Sequence, residues 1–252
     1  MADADIAQPP PPPQPTQPPA RPWGYLATLA WGLLAALASA AVTTAALPLL
    51  IAGRPGADSM YDAQTLGIMS VVGVIAELVV VIFAVRRSGL KVSDYLGFVR
   101  PTRRQVVIAF ATMIAFVATV DVVTVLLGKE VVTPFQDEVY RTADSAVAML
   151  VLSIAVLVAA PVGEEIMFRG FLFRGWIQTP RDVIPVIVLT SALWSAMHSQ
   201  YDWVGIAQIF LTGLLLGWLR WWSGSTLLVI GLHALNNIWA TIQTIAINEW
   251  PA

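Results

Sequence analysis

The sequence predicts an all-α, polytopic transmembrane helix bundle of about seven spans around a central polar cavity. Two observations carry that expectation. Residues are 57% hydrophobic and only 12% charged, half the charged share of an ordinary soluble domain. The apolar residues also fall into runs long enough to cross a bilayer, punctuated by short charged loops. The net charge of −2, with no compact basic block, excludes a nucleic-acid partner and leaves the lipid bilayer as the surround. The absence of cysteine removes thiolate nucleophiles, disulfides and cysteine-held metals.

Residues 1–22 form a proline-rich tail that cannot build a core and is expected to be disordered. Residues 23–144 are read as the N-terminal transmembrane helices. The first span covers about 25–51 and stops at the glycine and proline of 53–56; the second, about 66–85, contains Glu77. Arg86, Arg87, Lys91, Arg100, Arg103 and Arg104 follow, and the positive-inside rule makes this loop cytoplasmic. Within it, 94–98 is expected to lie along the interface. The third span, about 106–127, contains Asp121, and the mixed-charge loop 128–144 falls on the outer side. Residues 145–252 are read as the catalytic core. Its first helix runs from Ser145 to Trp176, ~48 Å, with Pro161 and Gly163 placed to kink it. Three further spans, about 183–198, 203–222 and 226–247, complete a multi-pass protein of the cell membrane. Its N-terminus is cytoplasmic and its C-terminus on the outer side. Gly213 and Gly217 are spaced for close helix packing.

Charges in hydrocarbon cost several kcal/mol, so the ones kept there point to pairing, passage or catalysis. Glu164, Glu165 and Arg169 follow the apolar run 146–160. Helical spacing pairs Glu165 with Arg169 and turns Glu164 to another face. Both histidines of the chain, His198 and His233, fall inside expected spans. Counted from their cytoplasmic helix ends, Glu164, His198, His233 and Asn237 lie ~14–24 Å deep. A carboxylate at that depth is suited to take a proton from water. His198 is placed to orient the water or share its proton, and His233 with Asn237 to donate to the oxyanion formed on an amide carbonyl. Glu165 and Arg169 would then hold the helix and the base in place.

Glu164-Glu165-x-x-x-Arg169, Trp194-x-x-x-His198 and His233-x-x-x-Asn237 resemble, in order, the three motifs of the CPBP (CAAX protease and bacteriocin-processing) intramembrane protease family. The resemblance covers about 146–247. It departs at Trp194, where the family more often has phenylalanine. It implies a glutamate-dependent intramembrane endopeptidase acting on a membrane-anchored peptide or protein, with Glu164, His198, His233 and Asn237 catalytic. The family implies no cofactor. Zinc held by two histidines and a glutamate is the metal alternative, and Asn236 is the alternative to Asn237. A non-proteolytic binding or immunity-type protein on the same helices is the competing function. A transporter with a proton relay is a third, but no paired halves are visible. Glu77 and Asp121 are read as structural acids, and nothing in the residues sets the oligomeric state or the substrate.

Overall fold

The computed structural model describes residues 21–54 and 61–250, so residues 1–20 of the expected tail lie outside it. Nine helices and no strands occur among the described residues. They are α1 (Tyr25–Ile51), α2 (Ala63–Arg87), α3 (Val92–Leu96), α4 (Arg103–Leu126) and α5 (Pro134–Arg141). The long helix α6 (Ala146–Trp176), α7 (Val183–Ala196), α8 (Trp203–Ser223) and α9 (Thr226–Glu249) follow. The chain is a multi-pass helical membrane protein. Five helices, α1, α2, α4, α6 and α8, are long and apolar enough to cross a bilayer. The expected count of about seven is not reached by that measure. α7 has only 14 residues, and α9 carries His233, Asn236 and Asn237 within its span.

Local chemistry sets the helix ends. Asp62 accepts from Thr65 N at the start of α2 and is paired with Arg54 at 3.1 Å. Thr102 and Thr133 form capping boxes with Gln105 and Gln136, which satisfy otherwise orphaned N–H groups of α4 and α5. Gly224, at φ +72°, ends α8, a conformation that side chains with a Cβ seldom adopt. Gly213 and Gly217 pack closely on Ser191 and Ile187 of α7, as their spacing predicts.

α6 does not break at Pro161. It stays helical through two widened π turns, Ala155–Ala159 and Ile166–Leu172. A proline has no N–H for the preceding turn, so a carbonyl there loses its helical partner. Asn237 Nδ2 donates to that turn, to Val156 O, at 2.9 Å, and ties α9 to α6.

The 94–98 region includes the end of a short helix with one exposed side, Ser93 and Asp94, and one side packed on the bundle. α3 dips into the bundle with Tyr95 and Leu96 fully buried, and Tyr95 stacks on Phe171 of α6 at 5.6 Å. Thr226 and Ser225 donate their hydroxyls to Leu96 O and Val99 O and fasten this segment beneath the start of α9. The basic end of the bundle is thereby closed.

Candidate active site

Glu164 stands on the α-helical stretch of α6 between its two π turns and opens onto a cavity of about 460 Å³. Its walls are the halves of α2, α4, α6, α8 and α9 farthest from the basic loop, with α5 across the mouth. Glu165, one residue on, is fully buried. Its Oε1 lies 2.9 Å from Arg169 Nη1, and Arg169 Nη2 donates to Gly213 O of α8 at 3.2 Å. The expected division is therefore present: one acid is neutralised in the interior, the other faces the cavity.

His233 links them. Its Nδ1 is 2.9 Å from Glu165 Oε1 and its Nε2 is 3.9 Å from Glu164 Oε2. An ionised carboxylate only accepts, so Nδ1 donates to Glu165 and Nε2 is the ring nitrogen turned toward Glu164. The 3.9 Å gap is too long for a direct hydrogen bond and leaves His233 Nε2, and the lone pair of Glu164 Oε2 that Trp194 does not use, to meet a third group.

His198 is reached differently. α7 ends at Ala196, short of the span expected to run through His198, and at ~1.5 Å per residue its 14 residues rise only ~21 Å. His198 sits in the turn beyond, lines the cavity, and donates from Nδ1 to Trp194 O at 2.8 Å. That bond satisfies a carbonyl at the helix end and fixes the ring. No direct contact joins His198 to Glu164. Asn237 lines the cavity too, with one N–H committed to Val156 O and its Oδ1 3.4 Å from Asn236 Nδ2. The remaining N–H of Asn237 is what an oxyanion could use.

The residue that the sequence reading undervalued is Trp194. Its indole N–H donates to Glu164 Oε2. Its ring centroid lies 5.4 Å from that of His198 and 5.3 Å from that of His233, edge to face in both cases. The Arg169 guanidinium rests over the same ring at 4.6 Å. A phenylalanine would fill this space without the donor. A buried indole N–H needs an acceptor, and that requirement was the available signal.

The other intramembrane acids are separate. Asp121 accepts from Trp239 Nε1 at 3.0 Å and from Gln243 Nε2 at 2.9 Å on the outer part of the cavity wall. Glu77 of α2 lies within electrostatic reach of Glu164 but does not line the cavity. Its Oε1 is buried without a hydrogen-bond partner among the described residues. In the turn after α7, burial pushes the Tyr201 phenol up to about 12, with the Glu164 charge adding to it, so Tyr201 presents a neutral O–H at the cavity wall. No group of three or more His, Asp or Glu side chains is arranged to hold a metal ion among the described residues.

Residues 146–239 match the model of a protease family described as type II CAAX prenyl endopeptidase Rce1-like. The match bears out the resemblance to the CPBP family read from the motifs. A protein of Escherichia coli described only as an uncharacterized 24.3 kDa protein is 31% identical over 133 residues. The match covers 48% of this chain and 58% of that relative, so it spans little more than half of the relative's length. No solved structure matches.

Proposed function

We propose, from the match of residues 146–239 to the Rce1-like CAAX endopeptidases, that this chain is a glutamate-dependent intramembrane endopeptidase. Its substrate is a membrane-anchored peptide or protein. The observation that supports it most is the placement of Glu164 at the foot of the cavity, with Oε2 held by Trp194 and facing His233 Nε2. A water in the gap gives a proton to Glu164 while its oxygen attacks the scissile carbonyl carbon. The proton then passes to the leaving amine nitrogen as the C–N bond breaks. His233 Nε2 is placed to relay that proton, and the free N–H of Asn237 to donate to the oxyanion. His198, whose Nδ1–H is held by Trp194 O, is placed to accept from the water through Nε2 and orient it. Glu165 and Arg169 fix the histidine ring and the helix, and touch no reacting atom.

The test is cleavage of a pool of membrane-anchored peptides by the purified protein in bilayer discs. Glu164→Gln and Glu164→Ala are expected to lower the rate by ~10²-fold or more, because a positioned base is worth that much. Chelators are expected to leave it unchanged. Cleavage surviving both substitutions removes Glu164 from the mechanism. Loss on chelation with recovery by zinc moves the chemistry to a metal. No cleavage by the wild type under any condition favours the non-proteolytic reading.

A further inference from the structure

We infer that the cavity opens on the extracytoplasmic side, and that the substrate segment it admits is polypeptide exposed at the outer leaflet, not a tail presented from the cytoplasm. The side of the opening stands on its own observations. The nature of the substrate rests on the endopeptidase reading above.

The cavity is one-sided. From α2 it takes Leu66, Gly67 and Ser70, at the start of the helix; from α4, 116–121, toward its end. From α8 it takes 205–212, and from α9 236–244, again the halves away from the basic loop. Glu164, Trp194 and His233 are its floor, and apart from them no lining residue lies further toward the basic end. Beneath the floor the bundle is packed. Tyr95, Leu96 and Phe171 are all but inaccessible, and Arg220 fills the space beside them, bonded to Arg169 O and Thr226 Oγ1. The Trp23 and Trp176 indoles close the same end by donating to Ala84 O and Tyr25 O.

The two ends differ in charge. The closed end carries the six Lys and Arg residues of 86–104 together with Arg174 and Arg181, against two acids, Asp94 and Asp182. The open end carries Glu130, Asp137, Glu138 and Asp144 against Lys129 and Arg141, and adds Asp202 and Glu249. Short loops rich in Lys and Arg stay in the cytoplasm. The closed end is therefore cytoplasmic, and the mouth faces out.

The lining indicates what is admitted. Gln136, Gln200, Gln208, Gln243 and Asn236 supply neutral amides. Gln136 Oε1 is taken by its capping box, and one N–H each of Gln208 and Gln243 by Thr124 and Asp121. That leaves the Gln136 N–H groups to donate and the carbonyls of Gln208 and Gln243 to accept. Such a wall can bond the backbone of an extended chain without demanding a side-chain sequence. Phe135 and Tyr201, 5.5 Å apart, add an aromatic pair to the lining near the mouth.

The absence of native cysteine makes the test direct. Gln200→Cys at the rim and Lys129→Cys on the same end are compared with Ser93→Cys at the basic end, all exposed positions. Spheroplasts are treated with a membrane-impermeant maleimide, before and after permeabilisation. Both mouth positions are expected to label in intact spheroplasts at least ~10-fold more than Ser93→Cys, a contrast that disappears on permeabilisation. The reverse pattern, or equal labelling at both ends of intact spheroplasts, overturns the inference. A pair of single-span reporters then places the same cleavable segment on either side of the membrane. Cleavage of the outer reporter alone, lost in Glu164→Gln, is expected, and cleavage of the cytoplasmic reporter alone overturns the inference. Outward labelling with neither reporter cut supports the side of the opening while counting against the endopeptidase reading, so the two failures are distinguishable.

Discussion

Trp194 donates to Glu164, carries Arg169 on its face and meets both histidines, so a change of that one ring tests several contacts separately. Trp194→Phe keeps an aromatic ring and deletes only the donor. A hydrogen bond to a charged group contributes ~1.5–3 kcal/mol, so kcat is expected to fall by roughly tenfold or more while the fold persists. Peptide cleavage and thermal unfolding in detergent measure the two effects side by side. Arg169 behaves in the opposite way. Arg169→Met leaves Glu165 buried without its cation, a loss of ~3–5 kcal/mol seen as a lowered unfolding temperature. The double change Glu165→Gln with Arg169→Met is expected to recover part of that, because the stranded charge is gone. Much of this site was legible in the chain because ionised groups are too costly in lipid to be incidental. Glu164, Glu165, Arg169 and His233 are found together for that reason. The indole donor was harder to see, since its ring satisfied the aromatic position before its N–H was considered. The commitment of Asn237 to Val156 was not visible, because it answers a carbonyl freed on another helix by Pro161.

Helix pairs are set by where a Cβ fits. One built on Gly213 would come within 2.8 Å of Ser191 Cβ, and Gly213 O also receives Arg169 Nη2. Gly213→Ala is therefore expected to push α7 from α8, cost ~1–3 kcal/mol in unfolding, and lower cleavage by displacing Trp194. A Cβ on Gly231 of α9 meets nothing within 4 Å. Gly231→Ala is expected to be neutral or to stabilise by up to ~1 kcal/mol through helix propensity. The spacing of Gly213 and Gly217 announced this packing face, since small residues four apart leave a flat surface. The descent of α3 into the bundle was less legible. Charged neighbours such as Lys91 and Asp94 suggest an interface, and only the partners Phe171 and Thr226, remote in sequence, draw Tyr95 and Leu96 inward. The early end of α7 was equally hidden. An apolar run shows where a helix can continue, not that His198 will turn back to its own last carbonyls.

Across the whole molecule, stability and chemistry occupy opposite halves. The large side chains that are fully buried include Tyr95, Phe171, Leu216, Leu219, Val85 and Val229, all on the basic side of Glu164 or level with it. The other half holds the cavity and its amides. Substitutions of similar size should thus separate by position. Tyr95→Ala removes a ring stacked on Phe171 in the dry half, and truncating a buried aromatic costs ~3–5 kcal/mol. Gln243→Ala removes one hydrogen bond to the Asp121 carboxylate, which keeps the indole of Trp239, so the loss is ~1.5 kcal/mol, the low end for a bond to a charged group. Thermal unfolding in bilayer discs should show a large drop in transition temperature for Tyr95→Ala and a small one for Gln243→Ala. Cleavage below both transitions should invert the order, with Gln243→Ala the more impaired because it alters the wall the substrate passes. Equal destabilisation by the two, or a greater activity loss from Tyr95→Ala at a temperature where it is fully folded, would show that the closed half does more than support the floor of the cavity.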